Sequence, residues 1–247
     1  MELLGLEGIP EVSEGADLAG LLAEAADRAE TPLEGGDVLV ITQKIVSKSE
    51  GRIARLADVT PSAFARKWAS QHRLDPRLIE IVLGESRRIV RMDRGVLIAE
   101  THHGFVCANA GVDLSNVAGG EIATLLPRDP DASARHIRTA LRDRRAVELA
   151  VVVSDTFGRP WREGLVNVAI GVSGLHPLQS YVGARDPQGF PLQATIQARA
   201  DELAAAAGLV STKLNRVPAV VIKGFAFDSA DGHSKDLLRA PDRDMFR

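Results

Sequence analysis

Cysteine is nearly absent from this sequence, since Cys107 is the only one among 247 residues. An intramolecular disulfide and a cysteine-based metal cluster are therefore both excluded, and the composition fits a reducing cytoplasm. Aromatic residues make up only 4% of the chain, too few for a platform on which several bases could stack. The 30 basic residues are offset by 33 acidic ones, a net charge of -3. We therefore expect no bulk binding of nucleic acid.

Long apolar runs are also missing, so we expect no membrane-spanning segment. The start of the chain, Met1-Glu2-Leu3, lacks the basic region and apolar core that are typical of a signal peptide. The chain is 45% hydrophobic and 26% charged, which is ordinary for a globular enzyme. These features together predict a cytoplasmic enzyme that forms one large domain or two small ones.

Hydrophobic periodicity and turn residues predict an α+β fold. No glycine-rich dinucleotide motif or P-loop motif occurs. The stretch 43–52 is rich in polar residues and is predicted to be a turn. Helices are predicted at residues 16–29, after Pro61, near Asp75-Pro76, at 131–145 and in the alanine-rich stretch that ends at 207. Strands are predicted at residues 38–42, 96–99, 105–107, 151–153, 168–172, 178–182 and 217–223.

The segment from His103 to Asn116 combines a predicted strand with a polar ending. Almost every other residue after the strand is polar or glycine, and such groups at the mouth of a strand are typical of sites for hard cations and phosphates. An ordinary turn, in which Asp and Asn act as local caps, is the alternative. The strand residues are Phe105, Val106 and Cys107, and the polar or glycine positions are Asn109, Gly111, Asp113, Ser115 and Asn116.

The segment from Val151 to Gly164 has the same character. A strand of three valines is followed by Asp155 and Thr156, whose carboxylate and hydroxyl oxygens suit magnesium or manganese beside a phosphate. Arg159 and Arg162 follow in a predicted loop, where two guanidinium groups could bind a carboxylate or phosphate. The alternative is a solvated loop anchored by Trp161. The two segments together favour a metal and oxyanion site.

Other polar residues in the sequence are less informative. Lys48 is a candidate phosphate ligand, but on its own a surface lysine is the simpler interpretation. His102 and His103 invite a metal-binding interpretation, but neighbouring side chains on a strand point to opposite faces. We therefore interpret the two histidines as structural or surface residues.

Several motifs follow one another along nearly the whole chain. They are residues 8–12 (GIPEV), 36–40 (GDVLV), 46–52 (VSKSEGR), 109–113 (NAGVD) with 115–116 (SN), 126–127 (LP) with 129–131 (DPD), 154–156 (SDT) with 158–159 (GR), 169–171 (AIG) and 200–202 (ADE). In this order they resemble the coenzyme F-420 gamma-glutamyl ligase family.

The resemblance implies a GTP-dependent ligase that adds L-glutamate to the side-chain carboxylate of a coenzyme F-420 precursor through an acyl phosphate. It implies a homodimer of α+β fold, with mixed and antiparallel sheets, packed helices and two intertwined subdomains. Two divalent cations, magnesium or manganese, and in addition potassium, are the implied cofactors. Residues 1–247 would form a single ligase unit, without the flavin reductase domain that is fused to some relatives.

The resemblance also assigns roles to individual residues. Asp113, Asp155 and Thr156 match the metal ligands, in agreement with the interpretation of the two polar segments. Lys48 would stabilise phosphate charge, and Arg159 or Arg162 could hold a substrate carboxylate. The residues that match GTP contacts are Ile9, Pro10, Glu11, Val12, Thr42, Gln43, Lys48, Asn116, Ser211, Thr212, Lys213, Leu214, Asn215, Arg216 and Val217.

The sequence departs from the family pattern at three places. Residues 211–213 stand where the family usually has a glycine-containing turn, Phe190 lies where a basic residue is usual, and Lys223 stands where arginine is common. Phe190 raises the alternative of the same ligation on a different acceptor. The altered residues 211–213 raise the alternative of a nucleotide-binding regulatory protein that has lost catalysis.

Overall fold

The structure of the chain, a computed structural model, describes residues 1–117 and 120–245, without the side chains from 115 to 120. The strands are β1 (Glu2–Gly5), β2 (Val38–Thr42), β3 (Ile53–Arg55), β4 (Ser86–Asp93), β5 (Val96–Thr101), β6 (Val106–Ala108), β7 (Asp113–Val117), β8 (Gly120–Thr124), β9 (Ala150–Arg159), β10 (Arg162–Ser173), β11 (Gln179–Ser180), β12 (Ile196–Gln197) and β13 (Ala219–Lys223). The α-helices are α1 (Leu18–Arg28), α2 (Gln43–Ser49), α3 (Ala63–His72), α4 (Pro76–Gly84), α5 (Pro130–Arg145) and α6 (Arg199–Ala207). Short 3-10 helices lie at Leu56–Asp58, Asn109–Gly111, Ser234–Leu237 and Pro241–Arg243.

The largest sheet has five strands in the order β1-β13-β2-β9-β10. Strands β2 and β9 are parallel, with Val38 opposite Ala150 and Thr42 opposite Ser154. The other neighbouring pairs are antiparallel. The central strands β2 and β9 carry continuous runs of buried apolar residues, most of them β-branched, as expected for strands that are covered on both faces.

Alternating side chains of the large sheet enter two separate hydrophobic clusters. Leu39 and Ile41 belong to the cluster that contains the buried residues of α1 and α5, whereas Val38 and Val40 belong to the cluster that contains those of α6. Because side chains on a strand alternate in direction, helices on both faces are needed to bury them. The sheet is thereby held between two helical layers.

The part of the chain between α2 and α5 builds two smaller antiparallel sheets, in the orders β4-β5-β6 and β3-β8-β7. The first sheet shares a hydrophobic cluster with α3 and α4, which includes Ala65, Ile79 and Leu97. This mixture of sheets and packed helices confirms the predicted α+β class. The predicted single unit, its two intertwined subdomains and the homodimer stay predictions.

The helix ends follow from the local sequence. The side chains of Ser62, Asp75 and Asp129 each accept a hydrogen bond from a backbone N–H in the first turn of α3, α4 and α5, respectively. Proline occupies the first helical position of α4 and α5, where its missing N–H has no cost. None of the described helices combines the length and the apolar character that crossing a bilayer demands.

Many predicted elements are confirmed. The strand at residues 38–42 has the predicted bounds, the helix at 16–29 forms as α1, and the helix at 131–145 forms as α5. The strands on either side of the His102-His103 turn pair as β5 and β6. The predicted strand at 178–182 is shorter, because only Gln179–Ser180 pairs, with β12.

The predicted polar turn at residues 43–52 is wrong, because residues Gln43–Ser49 form helix α2. The polar composition of this segment predicts an exposed turn, but the helix is about half buried. Gln43 and Ser47, four residues apart, are both buried, and the Ser47 hydroxyl donates to Gln43 Oε1 at 2.7 Å. This bond satisfies both side chains inside the protein and allows polar residues on the buried face.

The predicted loop after Ser154 is also wrong. Strand β9 continues to Arg159 and forms a long antiparallel hairpin with β10, which begins at Arg162. The run of buried valines ends at Val153, whereas the hydrogen-bonded ladder between β9 and β10 continues to Arg159. Arg159 and Arg162 therefore lie at the tip of a hairpin.

Strand β10 passes so close to the start of α5 that only glycine fits at position 171. A Cβ atom on Gly171 would lie well inside 3.0 Å of the Pro130 carbonyl oxygen. We expect Gly171→Ala to destabilise the protein by roughly 2–3 kcal/mol, because the helix and the strand would have to separate. Chemical denaturation measures this change.

Gly84→Ala is the matched control, since a Cβ at that position meets nothing within 4 Å. We expect the control to be neutral or to stabilise the protein by less than about 1 kcal/mol. Equal stabilities of the two variants would contradict the close packing of β10 on α5.

Candidate active site

The candidate site forms where the two parallel neighbouring strands β2 and β9 end at different points along the sheet. The pairing between β2 and β9 stops at Thr42 and Ser154, but β9 continues beside β10, with Asp155 opposite Val168 and Thr156 opposite Asn167. Past the end of β2, the edge of β9 therefore borders a cavity of about 580 Å³. Both positively and negatively charged side chains line this cavity.

Fifteen of the sequence-predicted residues line this one cavity, although they come from separate parts of the chain. They are Ile9, Pro10, Glu11, Val12, Thr42, Gln43, Lys48, Asp113, Asp155, Thr156, Ser211, Thr212, Lys213, Arg216 and Val217. The predicted metal ligands and most of the predicted nucleotide contacts are thus brought together by the fold.

The two aspartates of the cavity differ in their surroundings. Asp113, the first residue of β7, is about half exposed and forms an ion pair with Lys44. Asp155 is more enclosed: burial raises the pKa of its carboxyl group to about 6, and the negative charge of Asp113 contributes to the increase. The Thr156 backbone N–H, Lys213 and Lys44 act in the opposite direction. The neighbouring positive charges are therefore too few to stabilise the ionised form of the Asp155 carboxyl group fully.

Thr156 is held by a small hydrogen-bond network. Its hydroxyl donates to Asn167 Oδ1 at 2.9 Å across the β9–β10 ladder, and it accepts from Lys213 Nζ at 2.9 Å. Its backbone N–H donates to Asp155 Oδ1 at 2.8 Å. The network fixes the hydroxyl oxygen at the cavity wall, beside the Asp155 carboxylate.

The oxygen atoms of this wall suit a hard divalent cation. Asp113 and Asp155 offer carboxylates, Thr156 a hydroxyl and Asn167 an amide carbonyl, all of which magnesium and manganese accept. Within residues 1–117 and 120–245, no cluster of three or more His, Cys, Asp or Glu side chains is placed to hold a metal. A cation held here would therefore take its other ligands from water and phosphate, as magnesium commonly does.

Lys44 and Lys48 lie four residues apart on α2, on the same side of the helix. Both line the cavity, where Lys48 forms an ion pair with Glu11 from the first loop. The Lys48 side chain is 12% exposed and that of Glu11 is 77% exposed. The helix that replaces the predicted turn thus directs two ammonium groups into the site.

The loop of residues 211–217 is stabilised by its own hydrogen bonds. The Asn215 amide donates to the Val210 carbonyl at 2.6 Å, and its oxygen accepts from the Thr212 N–H at 3.1 Å. The Ser211 hydroxyl donates to the Val217 carbonyl at 2.6 Å. These bonds hold the loop, which contains no glycine, so that Lys213 and Arg216 face the cavity.

Four other sequence-predicted residues do not line the cavity. Arg159 and Arg162 are exposed at the hairpin tip, where Arg159 donates to the Glu163 carbonyl at 2.8 Å. Leu214 is 93% exposed, and the Asn215 side chain forms hydrogen bonds near the loop backbone, including one to the Val210 carbonyl. The side chain of Asn116 lies outside the described residues. A direct contact with substrate stays a prediction for all five.

Sequence reasoning missed several residues that line the cavity: Lys44, Ile45, Ser154, Asn167 and Pro218. Lys44 could have been found from its four-residue spacing to Lys48, if residues 43–49 had been read as a helix. Asn167 faces Thr156 through the β9–β10 register, which the sequence does not reveal. His102 and His103 bind backbone carbonyls of Gly84 and Pro127, in line with a structural role.

Replacing Asp155 with Asn should stabilise the metal-free protein above pH 6. The folded-state pKa of about 6 exceeds the ordinary aspartate value of 3.8, so the folded protein binds more protons than the unfolded chain between these pH values. Stability attributable to Asp155 is therefore greatest below pH 4 and is lost as the pH rises to about 6. Asp155→Asn removes this loss and should therefore increase the free energy of unfolding by up to about 3 kcal/mol above pH 6.

Urea denaturation in the presence of a chelator, from pH 4 to pH 7.5, measures the difference between the wild type and Asp155→Asn. The control is Asp93→Asn, which removes an exposed carboxylate that pairs with Arg91. A variant that is less stable than the wild type at pH 7.5 would show that Asp155 does not carry an unfavourable charge.

Comparisons with known proteins agree with the motif order. The model of the family described as F420-0:Gamma-glutamyl ligase matches residues 8–224. The "Coenzyme F420:L-glutamate ligase" of Methanothermobacter thermautotrophicus is 48% identical over 250 aligned positions, covering 100% of this chain and 99% of the relative. Its namesake from Methanopyrus kandleri is 43% identical, covering 99% and 98%. That from Halobacterium salinarum is 41% identical, covering 100% and 96%. The chain belongs to the F420-0:gamma-glutamyl ligase family.

Proposed function

We propose that this protein is a GTP-dependent ligase that joins L-glutamate to the side-chain carboxylate of a coenzyme F-420 precursor. The names of the relatives, each a coenzyme F420:L-glutamate ligase, support the glutamate and the acceptor. The dependence on GTP rests on the family resemblance and on the chemistry of the cavity. One observation carries the proposal: three carboxylates, a fixed hydroxyl, three ammonium groups and a guanidinium group line one cavity of nucleotide size.

The first step would activate the acceptor. A carboxylate anion resists attack by an amine, so it needs a better leaving group on its acyl carbon. An acceptor oxygen attacks the γ-phosphorus of GTP, a new P–O bond forms, the bond between the β- and γ-phosphoryl groups breaks, and GDP leaves. Lys48 would stabilise the phosphate charge from its position on α2. The product is an acyl phosphate.

The second step would form the amide bond. The amine of glutamate attacks the acyl carbon, a C–N bond forms, the C–O bond to phosphate breaks, and inorganic phosphate leaves. The amine loses one proton to solvent or to the departing phosphate. Burial of the acyl phosphate in the cavity would protect it from hydrolysis.

Asp113, Asp155 and Thr156 would hold two divalent cations, magnesium or manganese, with Asn167 supporting the Thr156 hydroxyl. Bound cations of this kind neutralise phosphate charge and align the transfer. The raised pKa of Asp155 supports this assignment, since a neighbouring cation would relieve the unfavourable carboxylate charge.

The activity is tested by incubating the protein with GTP, glutamate, the coenzyme F-420 precursor and manganese or magnesium. We expect a mass increase of one or more glutamyl residues and release of GDP that depends on both acceptor and glutamate. GTP binding without any turnover would instead favour a regulatory protein, and turnover with another acceptor only would favour a changed acceptor specificity.

Asp155→Asn should lower the rate of ligation by at least about a hundredfold, because it removes one charge that holds a catalytic cation while keeping the side-chain shape. Steady-state kinetics at limiting manganese measure the loss. Asp93→Asn is the control, since Asp93 ends β4 and does not line the cavity; we expect it to retain nearly full activity. Retention of most activity by Asp155→Asn would place the metal site elsewhere.

A further inference from the structure

Three lysines line the cavity, and each one contacts an oxygen atom of a neighbouring side chain. Lys48 pairs with Glu11, which is a predicted nucleotide contact. Lys44 pairs with Asp113 Oδ2, and Lys213 donates to Thr156 Oγ1 at 2.9 Å. The last two ammonium groups therefore contact oxygen atoms that are assigned to divalent cations in the proposed function.

An ammonium group and a divalent cation compete for such oxygen atoms. Both are positive, and at adjacent positions on one carboxylate they repel each other strongly in a partly buried site. Lys213 also lies close enough to Asp155 to lower the pKa of its carboxyl group, as does Lys44. Both ammonium groups thus provide part of the positive charge that the two aspartates need.

The side chains of the two lysines are exposed to solvent. The Lys44 side chain is 41% exposed, and Lys213 is exposed in the loop of residues 211–217. Each has a long flexible stem, so its ammonium group can shift by several ångströms without a change in the backbone. The nearest new partners in a loaded cavity would be the phosphate oxygens of the nucleotide.

We propose that Lys44 and Lys213 are positioning residues that exchange partners during substrate binding. They hold the metal-binding oxygens of Asp113 and Thr156 in the protein without cations, and they transfer to the nucleotide phosphates when cations bind. This inference rests on the proposed function and adds to it an order of events and a role for Lys44.

The exchange makes cation binding and nucleotide binding cooperative. Without nucleotide, a cation must displace an ammonium group that has no phosphate to move to, so cation binding is weakened. With nucleotide, the phosphates accept the displaced lysines. Because such coupling is reciprocal, the cation strengthens nucleotide binding by the same factor.

The test compares Lys44→Met, Lys213→Met and the control Lys48→Met, which also removes one positive charge from the cavity but from a lysine that pairs with Glu11. Binding of manganese to the full-length, nucleotide-free proteins is measured by electron paramagnetic resonance. We expect manganese affinity to rise by about tenfold in Lys44→Met and Lys213→Met, and by less than about twofold in Lys48→Met.

The second measurement is the affinity for a non-hydrolysable GTP analogue, with and without manganese, by calorimetry. We expect the factor by which manganese strengthens nucleotide binding to fall by about tenfold in Lys44→Met and Lys213→Met. A lysine that only stabilises the fold would leave this factor unchanged.

Two outcomes would overturn the inference. One is an equal rise in manganese affinity in all three variants, which would mean that overall cavity charge alone governs cation binding. The other is an unchanged manganese affinity in Lys44→Met and Lys213→Met. A wild-type protein that binds neither the GTP analogue nor manganese would refute the proposed function itself, and the exchange with it.

Discussion

The site depends on the parallel pairing of β2 and β9 and on the difference in their lengths. Both strands are covered on both faces, so their valines and isoleucines fix the register. Because β2 stops at Thr42 while β9 continues, one strand edge is left beside a cavity. The first loop, helix α2, strand β7 and the loop of residues 211–217 then meet around this edge. The cavity is a direct consequence of how the large sheet is built.

Charge balance is the second constraint on the cavity. Asp155 lies close to Asp113, and burial together with this like charge raises the pKa of Asp155. Lys44 and Lys213 offset part of the negative charge through their contacts with Asp113 and Thr156. A site with several unlike charges and two flexible lysines can rearrange its ion pairs when a highly charged ligand enters. We therefore expect the affinity of this protein for cations to depend on bound phosphate, and its affinity for phosphate to depend on bound cations.

The sequence predicts the oxygen-lined wall of the cavity better than the other residues that line it. Asp155 and Thr156 follow a run of valines, and a polar pair at the end of a buried strand is a strong local signal. Lys44 was missed because the polar stretch after β2 reads as a turn, and only the buried Gln43–Ser47 bond explains why it is a helix. Asn167 depends on the register of two strands, which no local pattern encodes. For Arg159 and Arg162, the end of the apolar run predicts the end of a strand, whereas the hydrogen-bonded ladder continues and carries both residues to the hairpin tip.

Anomalous diffraction from crystals grown with manganese and a non-hydrolysable GTP analogue tests the central claim most directly. We expect two manganese peaks in the cavity at the end of β2, beside the oxygen atoms of Asp113, Asp155 and Thr156, which would hold the ions next to the nucleotide phosphates. Manganese peaks outside this cavity, or a nucleotide bound elsewhere on the chain, would contradict the account.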